Sequence, residues 1–588
     1  MSKIDCIHEH FKLPIFYNKE KVSIQENIIH DLELVKTLDP SCNSIYQFVF
    51  HQHNKSPEEK DIFVEKVIEQ VSQTYTTDIN FLKDTQNILK SYRPLESCNN
   101  STSILEVWKE IKDETGFKDK YHYVDWQMLE YLNYSDSFLQ FLSVYTMASP
   151  ILSLLTPIII LIVPFFIIKL KGLTLSVGEY MDIIKVIISN HALGKITQIF
   201  TDFHSISMEQ KMYILLSVGF YLFSIYQNIV TCIKFHQNMN KIHDYFHRIN
   251  EYLEKTIVKM NDFLLNASSN LQTYHEFNNV LREKISILAK YKEKINSIGK
   301  YSFSCKKVME IGVILRNFYE LYDSKELNSA FLYSFGFNGY YTCLEGIMEN
   351  TKCKDMNFIS YTKKKGKNIF KKSYYGPLLS CKPIKNDISL KENVIITGPN
   401  ASGKTTALKT TLINIILSQQ FGCGFFTSGK LYPYKHIHCY LNIPDTSGRD
   451  SLFQSEVRRC KEIIQKIVEN KEDTHFCVFD ELYSGTNPEE AITSSTAFME
   501  YLVKFKNVFC MLTTHFIEVC HNLDKNSKIR NIHMDVKKEG ENTWKYSYSL
   551  KPGISEVKGG LKVLYDMDYP SEIIESFRKI KLASNGNK

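Results

Sequence analysis

The sequence predicts a multidomain α and α/β protein: helical N-terminal and lever regions with a transmembrane hairpin between them, then an α/β domain built on a phosphate-binding loop. Three observations carry this. Residues 138–168 and 212–233 are two charge-free stretches of bilayer length, 234–298 is a run of 65 residues with neither glycine nor proline, and 394–417 (VIITGPNASGKTTALKTTLINIIL) has the order strand, glycine turn, helix. A chain of 588 residues exceeds what one core holds, roughly 250 to 300 residues. Four regions are expected: 1–135 helical, 136–235 the hairpin, 236–355 a long helical lever, and 356–588 the α/β domain.

Composition narrows the classes. Hydrophobic residues at 44% and charged residues at 23% describe a chain that folds, and a net charge of +6 is mild for this length, so any nucleic-acid surface must be local. Fourteen cysteines are scattered with no C-x-x-C pair, which argues against zinc and against a disulfide framework. The N-terminus, MSKIDCIHEHFKLP, carries charges and histidines where a signal peptide needs an apolar core; no cleaved signal is expected.

In the first region, Val64, Val67, Ile68 and Val71 recur at helical spacing. From Phe138 to Ile168 there are 31 residues without a charge, where about 20 suffice to span a bilayer. Pro150, Pro157 and Pro164 inside this stretch suit a membrane helix, whose neighbours re-satisfy the freed carbonyls. Met212–Ile233 is bounded by Lys211 and Lys234 and carries tyrosines suited to an interface belt, although Gln227 and Asn228 lower its apolar character. The alternative is a helical hairpin buried in a soluble core. With five lysines between 169 and 211, the positive-inside rule does not decide the topology.

Ile242, Phe246, Ile249, Leu253, Ile257, Met260 and Leu264 recur in steps of four and three, which predicts the seam of a long helix or coiled coil over 234–298. Six lysines within 361–373 (YTKKKGKNIFKKS) predict a solvated loop, with contact to nucleic-acid phosphates as the second reading. Tyr374 and Tyr375 follow, just upstream of the glycine turn, where an aromatic ring could stack on adenine.

The motif Gly398-x-x-x-x-Gly403-Lys404-Thr405 sits in the context that gives it a mechanism. Glycines let Gly398, Pro399, Asn400, Ala401, Ser402 and Gly403 curl so that backbone N–H groups face a β-phosphate, and the helix starting near Lys404 adds its positive end. Lys404 would reach the β- and γ-phosphates, Thr405 would ligate Mg²⁺, and Thr406 completes the binding turn. ATP and Mg²⁺ are the expected ligands. His475–Phe479 is a short apolar run ended by Asp480 and Glu481, 76 residues after Lys404. Asp480 would hold the metal and Glu481 would act as general base. A third strand, Val508–Thr513, leads to His515, placed to sense a γ-phosphate.

Thr397-Gly-Pro-Asn-Ala-Ser-Gly-Lys-Thr405, Asp480-Glu-Leu-Tyr-Ser-Gly-Thr-Asn487 and Thr513-Thr-His-Phe516 together resemble the ATPase domain of the MutS family of DNA mismatch repair proteins. Ser447–Glu456 (SGRDSLFQSE) resembles that family's signature element, and the tail from Leu550 through Ile574 resembles its C-terminal hairpin and helix. The resemblance implies a P-loop ATPase in which Ser451 contacts the γ-phosphate of the partner subunit, Ser484 to Asn487 cross a homodimer or heterodimer interface, and duplex DNA is the macromolecular ligand. It covers about 374–580. Upstream, Phe63-Val64-Glu65 spells the Phe-x-Glu of mismatch readers, but Val67 places Phe63 on an apolar helix face. Ala401-Ser402 replaces the family's usual Met-Gly pair.

The sequence therefore points to a divergent MutS-like ATPase held to membrane lipid through 138–168 and 212–233, with its ATPase domain facing the cytosol. A soluble cytoplasmic or nuclear protein is the alternative placement. A transporter-type ATPase, or an ATP-gated scaffold without DNA, is the alternative function.

Overall fold

A computed structural model describes residues 6–51, 61–93, 101–113, 115–172, 176–190, 208–296, 298, 308–441, 451–538, 544–555, 557, 564 and 567–585. The chain forms two compact units that interleave along the sequence: one of residues 1–3, 98–257 and 285–331, the other of 4–97, 258–284 and 332–588.

The first unit is helical. Helix α1 (Asp136–Leu170) continues through all three prolines, and α2 (Met208–Asp262) holds the second apolar stretch. Both are long and apolar enough to cross a membrane. They touch through polar groups: Tyr221 donates to the Ser153 carbonyl at 3.2 Å, and Asn228 donates to the Ser153 hydroxyl. Such bonds satisfy polar side chains between apolar helices. The base of α1 is anchored, because Arg316 pairs with Asp136 at 2.8 Å and Gln140 accepts from the Gly312 N–H at 2.8 Å. A Cβ on Gly312 would stand 2.2 Å from the Asp136 carbonyl oxygen, so only glycine admits this crossing.

The expected single rod over 234–298 is two helices. The seam residues Ile242, Phe246, Ile249, Leu253 and Met260 are buried as their spacing predicts. Yet α2 ends in a π-turn, Phe263–Ala267, and α3 (His275–Asn296) starts after a turn. Neither glycine nor proline causes the break. Ser268 takes the Phe263 carbonyl with its N–H at 3.1 Å, and Asn278 donates to the Ser268 carbonyl at 3.0 Å while accepting from its hydroxyl at 2.8 Å. Short polar side chains thus compete with the helical ladder. Helix α4 (Ile311–Asp323) buries Ile311, Ile314, Leu315, Phe318 and Tyr319, and the buried ammonium of Lys112 donates to the carbonyl of Leu321 at 2.6 Å and to that of Tyr322. A cation at a helix C-terminus meets both the orphan carbonyls and the dipole.

Helix α5 (Lys325–Lys352) follows, and its part in the second unit is crowded by the N-terminal segment. A Cβ on Gly339 would stand 2.3 Å from the carbonyl oxygen of Phe63, and one on Gly346 as close to that of Phe50. Phe63 itself is buried and stacked on Phe335 at 4.9 Å.

The second unit centres on a six-stranded sheet. Its strands are β1 (Asn393–Thr397), β2 (His436–Tyr440), β3 (His475–Asp480), β4 (Val508–Thr513), β5 (Ile529–Lys538) and β6 (Trp544–Pro552), in spatial order β2-β3-β4-β1-β5-β6. All neighbours are parallel except the β5–β6 hairpin. Helix α6 (Lys404–Gln420) is buried on nearly every side, so its polar residues must find partners. They do: Gln420 donates to the carbonyls of Val71 and Thr74 at 2.8 Å each, and Gln419 donates to that of Tyr434 at 2.8 Å. Residues 4–97 are thereby part of the α/β unit. In the lysine-rich 361–373 segment, Lys363, Lys364, Lys365 and Lys367 are exposed on the loop the sequence predicts, whereas Asn368–Ser373 is a strand of a second, four-stranded sheet in which Lys371 pairs with Asp387 at 2.7 Å.

Replacing Gly339 by alanine forces a methyl group into the Phe63 backbone, an overpacking expected to cost about 1 to 3 kcal/mol. Thermal unfolding of Gly339→Ala should show the loss, whereas alanine at Gly178, which has open space around it, should leave the midpoint unchanged.

Candidate functional site

Parallel strands deliver their last residues to one edge, and the functional side chains gather there. The turn after β1 holds Gly398 at φ 151°, Ala401 at 59° and Gly403 at 99°. Gly403 caps α6, whose first residue is Lys404. A Cβ on Gly398 would meet the Ser402 hydroxyl at 3.0 Å and the Met534 side chain at 3.1 Å, so the turn is closed against β5. The buried Ser402 hydroxyl has no hydrogen-bond partner, an orphan that a phosphate oxygen would satisfy.

Lys404 is buried, with its ammonium 3.3 Å from the Pro399 carbonyl, 3.2 Å from His515 Nε2 and 4.0 Å from Glu481 Oε1. Burial pulls its pKa below the ordinary lysine value, and the charges of Glu481 and Asp480 push back. Strand register sets the acids. Asp480 of β3 lies opposite Thr513 of β4, and its two oxygens are taken by threonines: Thr405 Oγ1 donates to Oδ2 at 2.8 Å and Thr513 Oγ1 to Oδ1. The next residue, Glu481, has φ 51° and anchors its N–H on the Thr513 carbonyl at 3.1 Å. This strained conformation turns its carboxylate to His515, 2.6 Å away. The hydrogen bond from His515 holds the Glu481 carboxyl below the usual carboxylate range; partial burial opposes this, and the charges of His515 and Lys404 add to it.

The residues present fit a magnesium ion. The Thr405 hydroxyl and the Asp480 carboxylate are hard oxygen donors in contact, and Mg²⁺ takes one or two protein oxygens, with phosphates and water completing its shell. Among the described residues no cluster of three or more His, Cys, Asp or Glu could enclose a metal.

Beside the turn opens a cavity of about 830 Å³, lined by Asn400, Lys404, Thr405, Thr406 and Glu481 and walled by Tyr375, Ile384, Met534 and Tyr548. Tyr374 also borders it, but its ring is packed on Phe425 and its hydroxyl donates to the Asp355 carbonyl. Sequence reasoning missed Met534 and Tyr548, which reach the cavity through the β5–β6 hairpin.

Ser451 is exposed and caps helix α7 (Leu452–Glu469), accepting from the Gln454 N–H at 3.3 Å. Residues 442–450, including the first part of the SGRDSLFQSE segment, lie outside the described residues. The loop 484–487 is bound to α7 by a residue to which the sequence motifs assign no role. Buried Glu456 accepts from the Ser484 hydroxyl and the Gly485 N–H, each at 3.2 Å. A Cβ on Gly485 would clash with Leu452 at 2.8 Å and with the Phe453 nitrogen at 2.9 Å. Asn487 then caps helix α8 (Pro488–Leu502), accepting from the Glu490 N–H at 3.0 Å. The available signal for Glu456 was an acid on the inner face of an amphipathic helix.

The fold and the site define an α/β domain with lysine, threonine and acids at the carboxyl ends of parallel strands. Residues 394–583 match the family model of MutS domain V, and the chain is similar over about a third of its length to proteins named for MutS. It is 32% identical to MutS protein homolog 4 of Mus musculus over 212 residues, 34% of this chain and 21% of that protein. It is 29% identical to the DNA mismatch repair protein MutS of Persephonella marina over 184 residues (31% and 21%), and 27% identical to the DNA mismatch repair protein Msh2 of Dictyostelium discoideum over 223 residues (35% and 23%). The chain thus spans about a fifth of the length of the curated relatives it matches.

Glu456→Gln leaves one of its two partners facing a donor instead of an acceptor. An unsatisfied buried group costs about 1 to 3 kcal/mol, so thermal unfolding should shift down by that amount, with Ser484→Ala costing less.

Proposed function

We propose that this protein is a membrane-held MutS-type ATPase that binds and hydrolyses ATP, closes as a dimer over it, and engages duplex DNA in an ATP-dependent way. The contact of Thr405 with Asp480, with Glu481 turned to His515 beside it, is the observation that carries the proposal. The turn from Gly398 to Gly403 cradles the phosphates with backbone N–H groups, and Lys404 holds the β- and γ-oxygens. Thr405 and Asp480 hold Mg²⁺. When bound, that ion neutralises charge developing on the phosphate oxygens. Glu481 orients the attacking water and takes its proton, and His515 keeps Glu481 ionised and responds to the γ-phosphate. Ser451 and the 484–487 loop are the elements offered to a partner subunit, so the nucleotides lie between two chains of the same or a different kind.

DNA enters through the relatives, two of which are named as DNA mismatch repair proteins. Membrane attachment is supported by the exposed apolar side chains along α1 and α2, among them Ile151, Leu154, Phe166, Phe220 and Phe223, since exposed apolar faces mark interaction sites. The α/β unit would face the cytosol, where ATP is.

Glu481→Ala should abolish ATP turnover while leaving ATP binding intact and the dimer trapped; a variant that still turns over at the normal rate removes Glu481 as base. Turnover measured with and without duplex DNA at two salt concentrations tests the DNA reading, since binding through phosphates weakens steeply with salt. No response of affinity or rate to DNA would leave the ATPase without that ligand.

The base must be ionised to act, and its carboxyl is held below the ordinary value of 4.5. The acid limb of the pH–rate profile should therefore lie below that of an unassisted glutamate. His515→Asn should move it to higher pH, read as a shift of the half-maximal point.

A further inference from the structure

The loop 124–134 stands at the foot of α1. The Asn133 side chain closes it, accepting from the Val124 N–H and donating to the Val124 carbonyl, each at 2.9 Å, and Asn133 is itself fully buried. Lys118 secures both flanks by pairing with Asp125 at 2.9 Å and with Glu130, which also accepts from Tyr319 at 3.0 Å. A loop so tied should fold its apolar residues inward. Instead Trp126 is 65% exposed, Met128 75% and Tyr131 67%.

Its position explains them. Among the described residues of α1, Leu139 is the last buried apolar side chain before exposed Phe141, with Ser143 and Thr146 still buried beyond it, and on α2 the change falls between Phe235 and Ile233. The root of the loop lies at this level: the His122 ring is 6.2 Å from that of Phe235, and Asn238 donates to the Lys120 carbonyl at 2.6 Å. The exposed aromatic tip therefore grows from a root at the level where the exposed apolar side chains of the two helices begin. Tryptophan and tyrosine favour the membrane–water interface, where an apolar ring is covered and its polar edge stays hydrated.

The geometry points to Trp126, Met128 and Tyr131 as an interfacial anchor that inserts into the headgroup region of the bilayer crossed by α1 and α2. This rests on the proposed membrane attachment and adds a lipid-contact site outside the spans. Its structural consequence is that the first unit is held at the surface at two places, which limits its tilt.

The test uses the full chain in phosphatidylcholine vesicles containing lipid brominated either near the headgroup end or near the methyl end of the acyl chains. Of the three tryptophans, Trp108 is buried, and subtraction of a Trp126→Phe variant isolates Trp126. Quenching by the shallow bromine should exceed that by the deep one and remove roughly a third of the emission, one tryptophan in three; the difference should vanish in Trp126→Phe. If the chain floats with the vesicles but shallow quenching is the same in both proteins, or if the deep bromine quenches more, the anchor is overturned and the spans stand. If the chain does not float with vesicles, the membrane reading falls and the anchor with it.

Discussion

Asp480 carries a carboxylate whose two oxygens are claimed from opposite sides, by Thr405 at the start of α6 and by Thr513 at the end of β4. The first bond ties the helix that follows the glycine turn to the acidic strand, and the second ties that strand to its neighbour. Everything else at the strand ends is placed relative to this bridge. The Glu481 backbone is pinned to Thr513 in the next step of the chain, and His515 follows Thr513 by two residues. The charges of Glu481 and Asp480 oppose the effect that burial has on the Lys404 ammonium.

A second block is built on the other side of the acids. Glu456 binds α7 to the 484–487 loop, and the missing side chain of Gly485 lets the start of α7 approach within contact. Ser451 and that loop are therefore parts of one rigid piece. By the proposed function both meet a partner subunit, and a piece that cannot flex internally presents them together.

The glycine turn, Asp480, Glu481 and His515 were legible in the sequence because each is announced locally, by a short apolar strand ending in a polar residue. Burial of the 242–260 seam was legible for the same reason: spacing within one helix reports its own face. The break after Asp262 was not, because Ser268 and Asn278 end the helix with side-chain bonds that composition does not announce. Glu456, Met534 and Tyr548 were missed since their roles depend on partners far along the chain. Four lysines of 361–373 lie on the loop that was read there, but Lys371 and Lys372 belong to a strand that pairs in a small sheet. Charge density masked the strand.

Helix α6 begins at the glycine turn and ends at Gln419 and Gln420, whose amides grip the backbone of Val71, Thr74 and Tyr434. At 1.5 Å per residue its 17 residues make a stiff strut about 25 Å long. One tip touches whatever fills the cradle, and the other is clasped by the amino-terminal segment. By the proposed function, a small tilt at the first end would be passed to the second, and the amino-terminal segment would be a listener to the nucleotide without touching it.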